Sequence, residues 1–410
     1  MSSRTANDFL GLAPFLRLSI HGADLREIAR ELLEKAGQDQ DNPALWMNLS
    51  TAFCAIGERR LGLSMQAQAL DMRRIYTLPA RHPPARLRLL VLLAAGDLAE
   101  NTPIDCLLEN SDDIDLIYAY ATPDVPLPAG LPDHDVLLLA LSDTAATRPI
   151  LDALETALKD WPRPLINTPR AIRNTERNRA SVLLGDAPGV LMPPTVPAAR
   201  EDLAAIAAGA ARIGECFPGC AFPVILRPVG SQAGRDLDRI DHAEALSAYL
   251  ARVPDPDFYL SPFIDYSGPD GRFRKYRVAL VAGRPHASHM GISSHWMIHY
   301  LNAGMYEDAA KRAEERAFME GFDDFSRRHA AALEAVYRRM GLDYLCIDCA
   351  ETRDGRLLIF EADHAMVVHA MDPEDLFPYK QTHMLQVRRA FEAHLAALAA
   401  ARRQPAEQSA

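Results

Sequence analysis

Three carboxylates near the C-terminal end of the sequence are spaced for joint chemistry. In "YLCIDCAETRDGRLLIFEADHAM", Asp348 sits mid-run among apolar residues, and Glu361 and Asp363 stand two apart on the segment after the turn "TRDG". Alternation along a strand places residues two apart on one face, so Glu361 and Asp363 share a side. If Asp348 faces them across a hairpin, three anionic groups converge. Desolvation and mutual repulsion oppose such a cluster, and a divalent cation held by oxygen ligands is the simplest remedy. The alternative is an exposed hairpin with solvated carboxylates, which suits "LCIDCA" poorly because its flanks are apolar.

A second constellation lies upstream. "PVILRPVGSQAGRDL" carries Arg227 inside an apolar strand-like run and then opens into a loop with Gly230, Ser231 and Gly234. Backbone N–H groups of a glycine loop can approach phosphate oxygens that a Cβ would keep away. A Walker-type loop would end in Gly-Lys-Ser/Thr, which is missing here. Taken alone, the segment is equally a hairpin turn after a strand with one snorkelling arginine. His286-x2-His289 with His295-x3-His299, and Cys216-x3-Cys220 with Cys346-x2-Cys349, have the look of zinc pairs. On strands His286 and His289, like Cys346 and Cys349, face opposite ways, so buried thiols and packed histidines are expected instead.

The elements that must position these residues follow from periodicity. Residues 1 to about 80 read as helical, with "FLGLAPFLRLSI" a short surface helix broken by Pro14 and Arg17. Trp46, Leu49, Phe53, Gly57, Gly62 and Ala69 fall at intervals similar to one tetratricopeptide repeat, with Arg74 where proline usually stands. A lone repeat cannot bury its own apolar face. The cap is therefore either a docking surface for a protein or peptide, or a packing or homodimer surface. From Pro83, "ARLRLLVLLAA", "IDCLLE", "DIDLIYAYA" and "DVLLLALS" read as short buried strands, followed by the helix "RPILDALETALKDW". That alternation means an α/β layer. A strand ends at "INTP", a helix runs from Arg200 to about Cys216, "RKYRVALVAGRPHASHMGIS" is a hairpin turning on "AGRP", and "KRAEERAFMEGF" is a solvated helix.

Composition bounds the function. A chain of 410 residues exceeds one ordinary domain, and a net charge of −11 argues against nucleic acid as a partner. No apolar stretch is long enough for a bilayer, and six cysteines without a signal peptide fit a reducing compartment, so a cytoplasmic protein without membrane contact is expected.

In this order, residues from about 85 to 400 resemble an ATP-grasp enzyme, most closely the branch of ribosomal-protein glutamate ligases and glutathione synthetases. The resemblance implies an α/β fold: a Rossmann-like preface ending in an "N-x-P" strand and a basic helix, then two α+β lobes that grip ATP. It divides the chain into a helical cap (1–82), a preface (83–180), an ATP-grasp domain (181–400, with lobes of about 181–260 and 261–400) and a disordered tail (401–410).

It also assigns roles. The family's phosphate-binding lysines fall at Arg179 and Arg227, and Gly230, Ser231 and Gly234 form the loop over the γ-phosphate. "DFYLSPFIDY" matches the hinge that reads adenine. Pro262 has no N–H to give, so Ser261 or the amides of Phe263 and Ile264 would do so, with Asp265 on the ribose. Arg277 matches the arginine that faces the transferring phosphate. Asp348, Glu361 and Asp363 match the ligands of Mg2+, or of Mn2+ in its place, except that Asp363 stands where the family has asparagine. His295, Trp296, Tyr300 and Asn302 fall where substrate is contacted, with core or interface packing as the alternative.

The implied reaction joins a carboxylate to an amine through an acyl phosphate, releasing ADP and phosphate. A nucleotide-binding but inactive docking protein is the competing reading. A Rossmann oxidoreductase would need G-x-G-x-x-G after "LRLLVLLAAG", and it is absent.

Overall fold

The computed structural model describes residues 7–109, 111–231 and 234–403. Four helices open the chain: α1 (Ala13–Ile20), α2 (Leu25–Gln38), α3 (Pro43–Ala55) and α4 (Arg59–Met72). Asp24 and Asn42 cap α2 and α3 by accepting from Arg26 N and Ala44 N. Close α3–α4 packing depends on Gly62, where a Cβ would lie 3.0 Å from the Ser50 carbonyl oxygen. The helical segment stops at Met72, earlier than expected, because β1 (Ile75–Leu78) already belongs to the next layer.

That layer is a five-stranded sheet in the order β1-β3-β2-β4-β5, with β2 (Leu87–Ala94), β3 (Ile114–Ala121), β4 (Val136–Leu139) and β5 (Leu165–Ile166) parallel and β1 antiparallel at the edge. The strands read as unbroken apolar runs because both faces of this sheet are covered. "IDCLLE", expected as a strand, instead forms the short helix α5 (Ile104–Leu107). All four of its residues are buried, and a short apolar run carries no period that would separate strand from helix. After α6 (Arg148–Ala157), the "INTP" segment ends the sheet. Thr168 caps α7 (Pro169–Ile172), and Glu176 caps α8 (Arg177–Leu184).

Two further sheets follow. The smaller is antiparallel, in the order β7-β10-β8-β9, from β7 (Val196–Ala199), β8 (Val224–Pro228), β9 (Asp238–Ile240) and β10 (Asp257–Pro262). It has its own core around Leu203, Leu226, Leu246 and Phe258. The larger runs β12-β11-β13-β14-β6, from β6 (Val190–Leu191), β11 (Phe273–Val281), β12 (Arg284–Ser293), β13 (Tyr344–Glu351) and β14 (Leu357–Asp363). Its core is continuous with that of the first sheet and the N-terminal helices. Asn167 ties the two together, donating to Tyr344 O at 3.0 Å and accepting from Tyr344 N.

The helix expected from Arg200 to Cys216 is two pieces, Arg200–Ala207 and Ile213–Cys216, interrupted at Gly209 in the left-handed conformation (φ 71). The last helix, Pro378–Arg403, carries the fold through 401–403, where a disordered tail was expected. Residues 404–410, the rest of that tail, lie outside the described residues.

Candidate active site

One face of the larger sheet gathers the charged residues. Antiparallel register sets Arg277 opposite Asp348, and Asp348 opposite Glu361. Lys275 is two residues before Arg277 and so shares its face. Asp348 is almost fully buried (3% exposed), and it accepts from Arg277 Nε (2.8 Å), Arg277 Nη2 (3.1 Å) and Lys275 Nζ (2.9 Å). Burial alone would raise this carboxyl, but Arg277 and Lys275 more than offset that and hold it well below the carboxylate range. Burial likewise opposes the charge on Arg277, and Asp348 reverses the effect, so the guanidinium is held more firmly protonated than usual. Arg277 Nη1 donates to the Val367 carbonyl at 3.1 Å.

These contacts give each of the three carboxylates a partner within the chain. Asp348 is neutralised by Lys275 and Arg277, and Glu361 is ion-paired with Arg177. Asp363 accepts from Ala365 N (3.0 Å) and lies 3.3 Å from His364 Nδ1. Among the described residues, no group of three His, Cys, Asp or Glu side chains is placed to hold a metal. Asp348 and Glu361 thus each meet a side-chain cation, while Asp363 meets a backbone N–H and the His364 ring.

Arg227 reaches the same region from β8. It is 9% exposed and donates through Nε to Ser231 Oγ (3.1 Å) and through Nη2 to the Ser231 carbonyl, holding Ser231 against the end of β8. Burial pushes its pKa down to about 10, and Arg177 adds to the shift. Gly230 (φ 74) and Gly234 (φ 73) take the left-handed conformation that side chains avoid. Arg179, expected at the phosphates, is exposed, and its backbone N–H donates to Glu176. Arg177, two residues earlier, is the arginine directed at the site. Tyr259 Oη donates to Glu176 at 2.5 Å, joining the smaller sheet to the start of α8.

The hinge residues separate into different environments. Phe263 N donates to Pro223 O at 3.0 Å. Its ring lies edge-on to Trp296 (5.8 Å), with the Arg239 guanidinium 4.3 Å from its centroid. Ile264 packs into a small cluster with Tyr266 and Leu358. Ser261 is paired within β10, and Asp265 is occupied locally, accepting from Ser267 N at 2.9 Å.

The four expected substrate residues are not brought together. His295 and Trp296 lie side by side near the hinge, their ring centroids 5.7 Å apart and the planes tilted by 32°. Tyr300 donates to the fully buried Glu315 (3.2 and 3.1 Å) and accepts from Lys380, while Asn302 accepts from His299 N in a local cap. Glu315, expected on a solvated helix, also accepts from Met290 N and Tyr379. His289 lies opposite Arg277 in the register, 4.6 Å from the Tyr300 ring, with a buried Nδ1 that has no partner among the described residues.

No family model and no curated protein matches this sequence. Among solved structures, the chain is similar to D-alanine–D-alanine ligase from Bacillus anthracis complexed with ATP (14% identity, 74% of this chain and 98% of that one, TM-score 0.43). It is similar also to VanG D-Ala:D-Ser ligase from Enterococcus faecalis (12%, 76% and 99%, 0.46) and to a RimK domain ATP-grasp protein from Sphaerobacter thermophilus (18%, 73% and 99%, 0.39).

Proposed function

We propose that the chain is an ATP-grasp ligase that joins a carboxylate to an amine through an acyl phosphate, with release of ADP and phosphate. The observation that carries this reading is the gathering of four cations: Lys275 and Arg277 on the larger sheet, Arg177 at the start of α8, and Arg227 at the glycine loop. Such a concentration of positive charge in a net acidic chain suits a polyphosphate.

Arg277 has five N–H donors, of which three serve Asp348 and Val367. Two remain, one on each terminal nitrogen of a guanidinium that Asp348 fixes before substrate arrives, which favours the charge developing on a transferring phosphoryl group. The γ-phosphoryl group passes to a carboxylate oxygen and ADP leaves. A free-base amine then attacks the acyl carbon: the C–N bond forms, the C–O bond breaks with its electron pair on phosphate, and phosphate takes the surplus proton. Phe263 and Trp296 supply an aromatic corner for the base.

The test is ATP titration by calorimetry, with Mg2+ and separately with EDTA, followed by a phosphate-release screen of carboxylates and amines. Binding at one hundred times the dissociation constant would stabilise the fold by about 2.7 kcal/mol. No heat and no thermal shift would sink the nucleotide reading. Binding without turnover on any pair would favour the docking protein.

A further inference from the structure

The charged row of the larger sheet does not end at Arg277. Antiparallel register places His289, Arg277, Asp348 and Glu361 in one line across β12, β11, β13 and β14. Residues directly opposite each other share a face, with Cβ atoms about 4.5–5.5 Å apart, so His289 stands beside Arg277 on the side away from Asp348. The pairing slips by one residue next to this line on both sides: Ser288 is extra against β11, and Phe360 is extra against β13. Bulges of this kind re-aim side chains beside active sites.

The surroundings of His289 hold its ring in place. Tyr300 packs against it with ring centroids 4.6 Å apart, and the Tyr300 hydroxyl is fixed by Glu315 (3.2 and 3.1 Å) and Lys380. Glu315, fully buried, also accepts from Met290 N at 2.9 Å and so fixes the backbone immediately after His289. An ion pair with Lys380 Nζ (3.4 Å) and a hydrogen bond from Tyr379 (2.6 Å) complete its shell. One buried carboxylate thus clamps both the strand that carries His289 and the ring that touches it, the support a preorganised side chain needs.

Charge decides which ring nitrogen carries the proton. His289 is half-buried, and its Nδ1 is sealed off without a hydrogen-bond partner among the described residues. Burial lowers its pKa, and Arg277, Lys380 and Lys275 add to the shift while Asp348 opposes it. The ring is therefore neutral at pH 7, with one N–H and one lone pair. A buried lone pair tolerates three nearby cations better than an N–H dipole does, so Nδ1 is bare and Nε2 carries the proton.

We propose that His289 is a catalytic residue of the ligase: its Nε2–H donates, together with the free N–H groups of Arg277, to the acyl oxygen of the carboxylate substrate. When the amine forms the C–N bond, the C=O electron pair moves onto that oxygen, where both donors meet it. As the C=O re-forms, the C–O bond breaks with its pair on phosphate, which takes the surplus proton. A neutral imidazole suits this place, since it stabilises the oxyanion and takes no proton from the amine. The inference rests on the ligase reading.

The test joins a spectroscopic and a kinetic measurement on the full chain. In protein labelled with 15N-histidine, two-bond 1H–15N spectra at pH 7 should show the Nε2–H tautomer for His289, its signal assigned by its loss in His289→Gln. An Nδ1–H tautomer or an imidazolium at that pH overturns the proposal. With the carboxylate and amine pair found by phosphate release, His289→Leu should lower kcat by about a hundredfold, as loss of one oxyanion donor does, with the dissociation constant for ATP unchanged. His289→Gln, which can place an N–H near the Nε2 position and cannot act as a base, should recover most of that loss, whereas His289→Asn should not. Should the leucine variant fail to fold, the difference between glutamine and asparagine decides alone. Hydroxylamine, a free base at pH 7, should show the same loss when it replaces the amine. Full rescue by hydroxylamine would make His289 a proton acceptor, and equal activity of the glutamine and asparagine variants would make it a packing residue; either result overturns the proposal. If ATP binds and His289→Leu turns over normally, the role fails while the ligase reading stands. If the unaltered chain neither binds ATP nor releases phosphate with any pair, the ligase reading fails and this role with it.

Discussion

Asp348 anchors the charged face of this site, because two half-buried cations depend on it. Replacing it by asparagine leaves Lys275 and Arg277 without their anion, and breaking a buried pair in this way costs about 3–5 kcal/mol. Asp348→Asn should therefore lower the unfolding free energy by that amount in a urea titration. A loss below about 1 kcal/mol would mean that the cations find another partner or that water reaches them. The two arginines should separate kinetically. Arg227→Lys should raise the Michaelis constant for ATP with turnover largely kept, since a point charge replaces a fork. Arg277→Ala should lower turnover by about two to three orders of magnitude with nucleotide affinity little changed. Equal effects on affinity alone would make Arg277 a phosphate anchor only. At this scale Asp348 was legible from its place in an apolar strand and Arg277 from the family resemblance, whereas Lys275 was not singled out, although alternation from Arg277 puts it on the same face. Arg177 was not, because choosing between Arg177 and Arg179 needs the point where α8 starts, and Glu176 sets that through a cap and the Tyr259 contact.

Among the elements, α1 shows how a short helix with little intrinsic stability is held. Eight residues are too few to persist alone in water, so its order comes from Asp105, the Arg17–Glu109 pair and the burial of Phe15. Asp105→Leu should cost about 1–2 kcal/mol, as loss of a helix N-cap does. It should also speed hydrogen exchange throughout 13–20 while leaving β11 and β13 protected. Unchanged exchange in α1 would show that burial alone suffices. Long strands and the hairpin turns were readable from period and turn residues. The misread segments were those where period is silent: α5 in a short, wholly buried run, the helix broken at Gly209, and the end of the C-terminal helix. The buried Glu315 was hidden for a different reason, since its partners Tyr300 and Tyr379 come from distant positions in the chain.

For the whole molecule, the three-sheet arrangement draws histidines into places where they cannot readily charge. His286, His289, His299, His369, His383 and His394 are all lowered from 6.5, in each case chiefly by burial. A base whose folded pKa is depressed binds its proton more readily unfolded. The unfolded chain therefore holds more protons as pH falls through 6.5 toward the folded values, and stability falls with it. The raised carboxyls of Asp105, Asp143 and Asp343 act in the opposite sense, but the histidines outnumber them. The depressed carboxyls, Asp348 among them, contribute their stability above about pH 4 and do not alter this window. The urea midpoint should therefore drop between pH 7.5 and pH 5.5, well before any carboxylate of ordinary pKa protonates. Besides burial, the charge acting on His286 is Arg284, outside the candidate site, so His286→Gln should remove part of that slope without changing ATP binding. A midpoint that holds steady or rises toward pH 5.5 would mean that these rings accept protons in the folded chain, and that the packing around them is more open than their burial implies.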